Sequence, residues 1–275
     1  MKYLKIWVFL FIGLLLVHSP AYSQDPLAED NNGGWKITTA PYFWAPSIDG
    51  DSTISGATAG IDIGFDDIID NFDVWGFSNR LEAWKGDWGL IVDAMYVDMD
   101  LKSDAVHTTN PRVDLDMEVA SATVDFAVAY KLVKIPLEEG TPLEFTFSPL
   151  GGLRYQYLKQ EGKLQADLPG IGLQGQTLGG SEDWVEPFVG AAVRYDLTEK
   201  FAVISRADAG GFGIGSASTL TWNFVIGIDW TFKDNMDLKV GYRVMDMDYS
   251  RGSGTDEFGW DGKMYGPLIG LNIHF

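Results

Sequence analysis

Charged side chains recur at strand spacing in this chain: Arg80, Glu82, Asp93, Asp125, Arg154, Glu186, Arg194, Arg206, Asp208, Asp229, Lys239 and Arg243. Each falls opposite an apolar row. In 183–197, Val185, Val189, Ala191, Val193, Tyr195 and Leu197 alternate with Glu186, Gly190 and Arg194. In 218–232 the apolar row is Leu220, Trp222, Phe224, Ile226, Ile228, Trp230 and Phe232, with Asn223, Gly227, Asp229 and Thr231 between. A period of two marks strands with one oily face. If these strands close into a barrel, the twelve charges share its interior. Mixed signs in a confined space favour pairing, because a lone buried charge is costly. The other use of such a lining is to select small solutes. About eight strands already fill their interior with side chains, so a barrel of about ten leaves little width, and the paired network is the stronger expectation.

Other chemistry finds thinner support. A hydrolase would need a histidine held against a serine or a carboxylate. Beyond the leader there are only His107, in a long connection, and His274, one residue from the end. The topology below puts them on opposite sides of a membrane, so they cannot share a site. No catalytic residue is expected. The run 208–216 (DAGGFGIGS) has the glycines of a phosphate loop but no following helix to hold a phosphate, and reads as a bend at a barrel rim. Asp66, Asp67, Asp70 and Asp73, and Asp246, Asp248, Asp256, Glu257 and Asp261, form two acidic clusters. Neither has the ligand spacing of a calcium loop. No metal or cofactor is expected.

The elements that would position these residues are strands near 35–46, 74–85, 88–101, 115–132, 143–160, 183–197, 201–212, 218–232, 237–250 and 261–275. Connections alternate between short (85–87, 133–142, 198–200, 233–236) and long (47–73, 102–114, 161–182, 213–217, 251–260). Outer-membrane barrels show this asymmetry, with short periplasmic turns and longer outer loops. The fold expected is an all-β, antiparallel up-and-down transmembrane β-barrel of about 10 strands. Eight or twelve stay open, since 52–65 (STISGATAGIDIGF) can form strands of its own. Phe65, Ile68, Ile69 and Phe72 fall at helical spacing, so a short amphipathic helix is expected near 66–72 in the first outer loop, capping the mouth or plugging it.

At the start, Lys2 and Lys5 precede an apolar run from Ile6 to Val17, and Ala21-Tyr22-Ser23 fits a cleavage site. Twelve apolar residues are short of the ~20 a spanning helix needs. Residues 1–23 therefore read as a cleaved signal peptide, 24–34 as a periplasmic lead-in and 35–275 as the barrel. Trp 10, Tyr 11, Phe 16 and Gly 32 suit interfacial girdles and crowded strand bends. A soluble β-sandwich is disfavoured, because its outward face should be broadly charged. The net charge of −19 becomes −21 once Lys2 and Lys5 leave, which repels nucleic acid. The partners expected are outer-membrane lipids and lipopolysaccharide, and the barrel-assembly machinery through the C-terminal strand, with the chain a monomer.

The segments PYFWAPSIDGD (41–51), FDDIIDNFD (65–73), KGDWGLIVDAMYVDMD (85–100), DWVEPFVGAAVRYDL (183–197), ADAGGFGIGS (207–216), GYRVMDMDY (241–249) and GPLIGLNIHF (266–275) resemble a recurring group of small single-chain Gram-negative outer-membrane β-barrel proteins. The resemblance implies the barrel and an outer-membrane address. It supplies no catalytic residue, and the group carries no assigned function. The functional expectation is a structural or surface role with limited small-solute passage through a narrow charged lumen. A selective channel is the alternative, and a lipid- or peptide-modifying enzyme stands behind both.

Overall fold

The computed structural model describes residues 34–65, 74–101, 106–107, 113–168 and 172–275. Its strands are β1 (Lys36–Trp44), β2 (Ser47–Ile54), β3 (Ala57–Ile63), β4 (Val74–Lys85), β5 (Trp88–Leu101), β6 (Val106–His107), β7 (Val113–Tyr130), β8 (Val133–Pro136), β9 (Glu144–Leu168), β10 (Gly172–Thr198), β11 (Phe201–Gly211), β12 (Leu220–Lys233), β13 (Met236–Arg251) and β14 (Phe258–His274). β1, β4, β5, β7, β9, β10, β11, β12, β13 and β14 follow one another as antiparallel staves, and β14 returns to β1. The chain is a closed ten-stave barrel, with β8 prolonging β7 along β9. The leader 1–23, most of the lead-in 24–34 and the expected helix at 66–72 lie outside the described residues.

Alternation builds the outer wall. Leu220, Phe224, Ile226, Ile228, Trp230 and Phe232 are all exposed on β12, covering about 40 Å of strand. At a tilt near 45° this gives roughly 28 Å along the barrel axis, the height of a bilayer's apolar core. Trp35, Trp88, Phe201, Trp230, Phe232 and Phe275 ring the short-turn end, where amphipathic rings meet a membrane interface.

The other end departs from the expected pattern. β9 and β10 run 25 and 27 residues and stay paired from Phe145↔Tyr195 out to Leu168↔Gly172. The stretch 161–182, expected as a long loop, is therefore mostly paired strand; its two edges need no lipid-facing row once they stand clear of the apolar band. β11 and β12 stop early, at Gly211 and Leu220. Gly211, Phe212 and Gly213 all turn there with positive φ, which glycine tolerates and Phe212 does not readily adopt.

Above that stub, β10 and β13 meet directly. Trp184 stacks on Tyr249 with centroids 3.7 Å apart and planes 6° from parallel, and Arg251 pairs with Glu182. After a break at Ala45-Pro46 the chain continues along β14 as β2, which turns back as β3. Residues 52–65 thus form most of a hairpin that adds no stave. Ser52 Oγ hydrogen-bonds Gln160 Oε1 on β9, Gln160 Nε2 donates to the Gly259 carbonyl at 3.2 Å, and β3 pairs with β6. The hairpin is a roof laid across the long-loop end.

Candidate functional site

The barrel interior has two storeys. In the lower one, nearer the short turns, Arg154 is fully buried. Its Nε donates to Asp125 Oδ1 at 2.7 Å and its Nη2 to Asp208 Oδ1 at 2.6 Å, while Nη1 stands 3.9 Å from Glu186 Oε1. Arg206 binds Asp125 at 2.6 Å and Asp208 at 2.8 Å, and lies 3.6 Å from Asp93. The Phe188 ring lies against both guanidinium groups, 4.8 Å from Arg154 and 5.6 Å from Arg206. Toward the short turns, Arg80 joins Glu82 at 2.6 Å and Asp93 at 3.4 Å. Arg194 joins Asp196 at 2.8 Å and Asp229 at 3.4 Å, and Lys239 stands 3.9 Å from Asp229.

Ten of the twelve charges singled out from the sequence therefore meet as ion pairs between staves, Glu82 pairs with Arg80 along β4, and among the described residues Arg243 makes no ion pair. These contacts are cross-links as well as neutralisation. Asp125, Arg154, Arg206 and Asp208 come from β7, β9 and β11, so the short charge-assisted bonds of Arg154 to Asp208 and of Arg206 to Asp125 tie together staves that are not neighbours in the ring. Sequence reasoning passed over the neutral members. Thr123 Oγ1 donates to Gln156 Oε1 at 2.7 Å, and Ser218 Oγ, from the loop after β11, bonds Glu186. Their inward parity was readable, but they carry no charge to draw notice.

The upper storey corrects the expectation of a polar lumen throughout. Above Arg243 most inward positions are apolar, with Gln160 of β9 and Ser52 of the roof buried among them: Met245, Met247 and Tyr249 on β13, Met95 and Met99 on β5, Met117 and Val119 on β7, and Trp184 on β10. Trp260 and Met264 of β14 complete it, and Ile48, Ile54, Ile61 and Ile63 of the roof hairpin close over it. This apolar core sits inside the barrel, where the hydrophobic effect holds the roof down.

His274 bridges the closing seam. Its Nδ1 is 2.9 Å from Thr38 Oγ1 on β1, and its Nε2 is 2.8 Å from Asp237 Oδ2 on β13. Asp237 also accepts from Thr231 at 2.8 Å and Asn272 at 3.4 Å. The histidine–carboxylate contact that a hydrolase would need is thus present, with a threonine in place of a serine. The three residues stand on adjacent strands across the first-to-last junction, which also makes them a clasp. His274→Ala is expected to lower stability by about 1–2 kcal/mol, measured by urea unfolding in micelles. Hydrolysis of a p-nitrophenyl ester should stay at the wild-type level; a selective loss of such hydrolysis would instead mark catalysis. His107 pairs through its backbone with Gly60 at the far end, so the two histidines lie apart as expected.

A closed ring of antiparallel staves with an apolar exterior, an aromatic rim and an ion-paired interior defines a transmembrane β-barrel of the outer-membrane type. No protein-family model and no curated protein matches the chain. Among solved structures it is similar to the translocator domain of the autotransporter NalP from Neisseria meningitidis, with 11% identity, TM-score 0.35, and 99% of this chain and 95% of that chain covered. A major outer membrane protein from Thermus thermophilus shows 12% identity, TM-score 0.36, and coverage of 88% and 100%. Ail, the attachment invasion locus protein of Yersinia pestis, shows 10% identity, TM-score 0.32, and coverage of 88% and 99%. Likeness at this level carries no functional weight; the fold rests on the chain's own closed ladder.

Proposed function

We propose that the protein is a sealed, non-enzymatic barrel of the Gram-negative outer membrane, exported through its N-terminal signal, with a structural role at the cell surface. The observation that carries this reading is Arg154, fully buried and bonded to carboxylates from two other staves. Arg206, held by the same carboxylates, carries the cluster on to Asp93 of β5, four staves round the ring. The cluster therefore crosses the lumen where a solute would have to pass, and breaking it leaves charges uncompensated. The roof hairpin adds a second obstruction. Passage is limited to what slips through this packing, and a selective channel is the weaker reading.

The apolar belt is solvated by membrane lipid as a monomer, lipopolysaccharide surrounds the long-loop end, and the C-terminal strand is the segment offered to the assembly machinery. Folded protein, identified by a gel mobility that changes on boiling, is expected to show no step conductance in planar lipid bilayers. Discrete, reproducible steps from such a preparation would replace this reading with a channel.

A further inference from the structure

The interior cations are not treated alike. Arg80, Arg154, Arg194, Arg206 and Lys239 each stand within ion-pair distance of a carboxylate. Arg243 is 5% exposed, yet no ion pair reaches it among the described residues. Its Nε donates to Asn223 Oδ1 at 2.8 Å and its Nη1 to the Tyr42 hydroxyl at 3.2 Å. Beyond these it meets sulfur: Met95 Sδ lies 3.8 Å from Nη1, and Met245 Sδ lies 3.8 Å from Nη2. The Trp44 ring stacks beneath the guanidinium at 4.8 Å. A thioether is a weak acceptor. Among the described residues, the five N–H groups of this buried cation thus have two oxygen partners, both neutral.

Those two partners are held from behind. Tyr42 donates to Asp93 at 2.9 Å and Asn223 to Asp208 at 3.0 Å, so the ion layer fixes the orientation of Arg243 from below. Its under-bonded side faces the apolar storey, which is lined by Met95, Met99, Met117, Met245, Met247 and Met264. Methionine is the unbranched, adaptable apolar side chain, able to repack around a guest. The storey extends from Arg243 to Tyr249 on β13, about 20 Å of strand.

We propose that this storey is a binding chamber for a single-chain amphiphile with an anionic head. The head takes the Nη1 and Nη2 edge of Arg243 as a bidentate, charge-assisted pair, displacing the two thioether contacts. The chain lies among the methionines beneath the roof hairpin. Because the ion layer closes the floor, the chamber is a dead end that holds its guest. The site goes beyond the sealed-barrel reading and rests on it only for that floor.

The test uses full-length folded protein in nanodiscs of a neutral phospholipid, titrated with laurate by isothermal calorimetry. Saturable binding at one laurate per barrel is expected. Dodecanol, which lacks the charge, and butyrate, which lacks the chain, should each bind at least tenfold more weakly. Arg243→Gln should weaken laurate by a similar factor, and Arg243→Lys should retain most of it. The lysine variant and the ligand series keep the test decisive if the glutamine variant does not fold. No saturable laurate binding by the wild type overturns the proposal, as does equal binding of dodecanol, or undiminished binding by a folded Arg243→Gln variant. Step conductance by the wild type would overturn the sealed barrel instead, a separate readout.

Discussion

Arg154→Met is expected to destabilise the barrel by about 3–5 kcal/mol, as removal of one partner from a buried ion cluster typically does. The substitution keeps the volume and the contact with Phe188 but strands Asp125, Asp208 and Glu186. Asp125 and Asp208 would still share Arg206, whereas Glu186 would keep only neutral donors: Trp184 Nε1 at 3.1 Å, Thr221 and Ser218. The measurement is the urea midpoint of the folded, heat-modifiable form in detergent micelles. Adding Glu186→Gln to Arg154→Met should recover part of the loss, because the orphaned charge goes with its partner. That sign separates an electrostatic cause from a packing defect. Recovery would be absent if the cluster acted only as filler.

Trp184→Ala is the second large effect, at about 3–5 kcal/mol for truncating a fully packed tryptophan. The indole ring covers Tyr249, and its Nε1 donates to Glu186, so one side chain joins the apolar storey to the ion layer. Trp184→Phe keeps the stack and loses the donor, and should cost markedly less. The alanine variant should also bind the dye ANS near the long-loop end, since β10 and β13 lose their main contact above the short β11–β12 hairpin. Unchanged stability in the alanine variant would show that the roof, and not this stack, closes the barrel.

Much of the fold was legible because a membrane wall forces alternation. A lipid-facing row such as Leu220 to Phe232 can be counted, and parity then assigns the opposite face residue by residue. The same parity placed Met245 and Met247 inward beside Arg243, but sorting by charge left them unnoticed. The extension of β9 and β10 was not legible. Beyond Tyr157 and Asp183 neither strand faces lipid, so the periodic signal ends although the pairing continues. Strands within 52–65 were open to the sequence, but the place of the roof hairpin was hidden for another reason. Nothing in 47–65 states that its partners would be β14 and β9, far away in the chain; only Pro46, with no N–H to offer a ladder, marks the break. The clasp at His274 has the same character, joining residues 236 apart in sequence.

One edge of β14 serves two partners: its last residues pair with β1, and residues 258–265 pair with β2. Both partners come from the beginning of the chain and β14 from its end, so these contacts form only after everything between has been made and brought around. Pairing of such sequence separation is slow. Shutting the ring and lowering the roof thus become one late event in biogenesis, and whatever occupies the upper storey at that moment is enclosed with it.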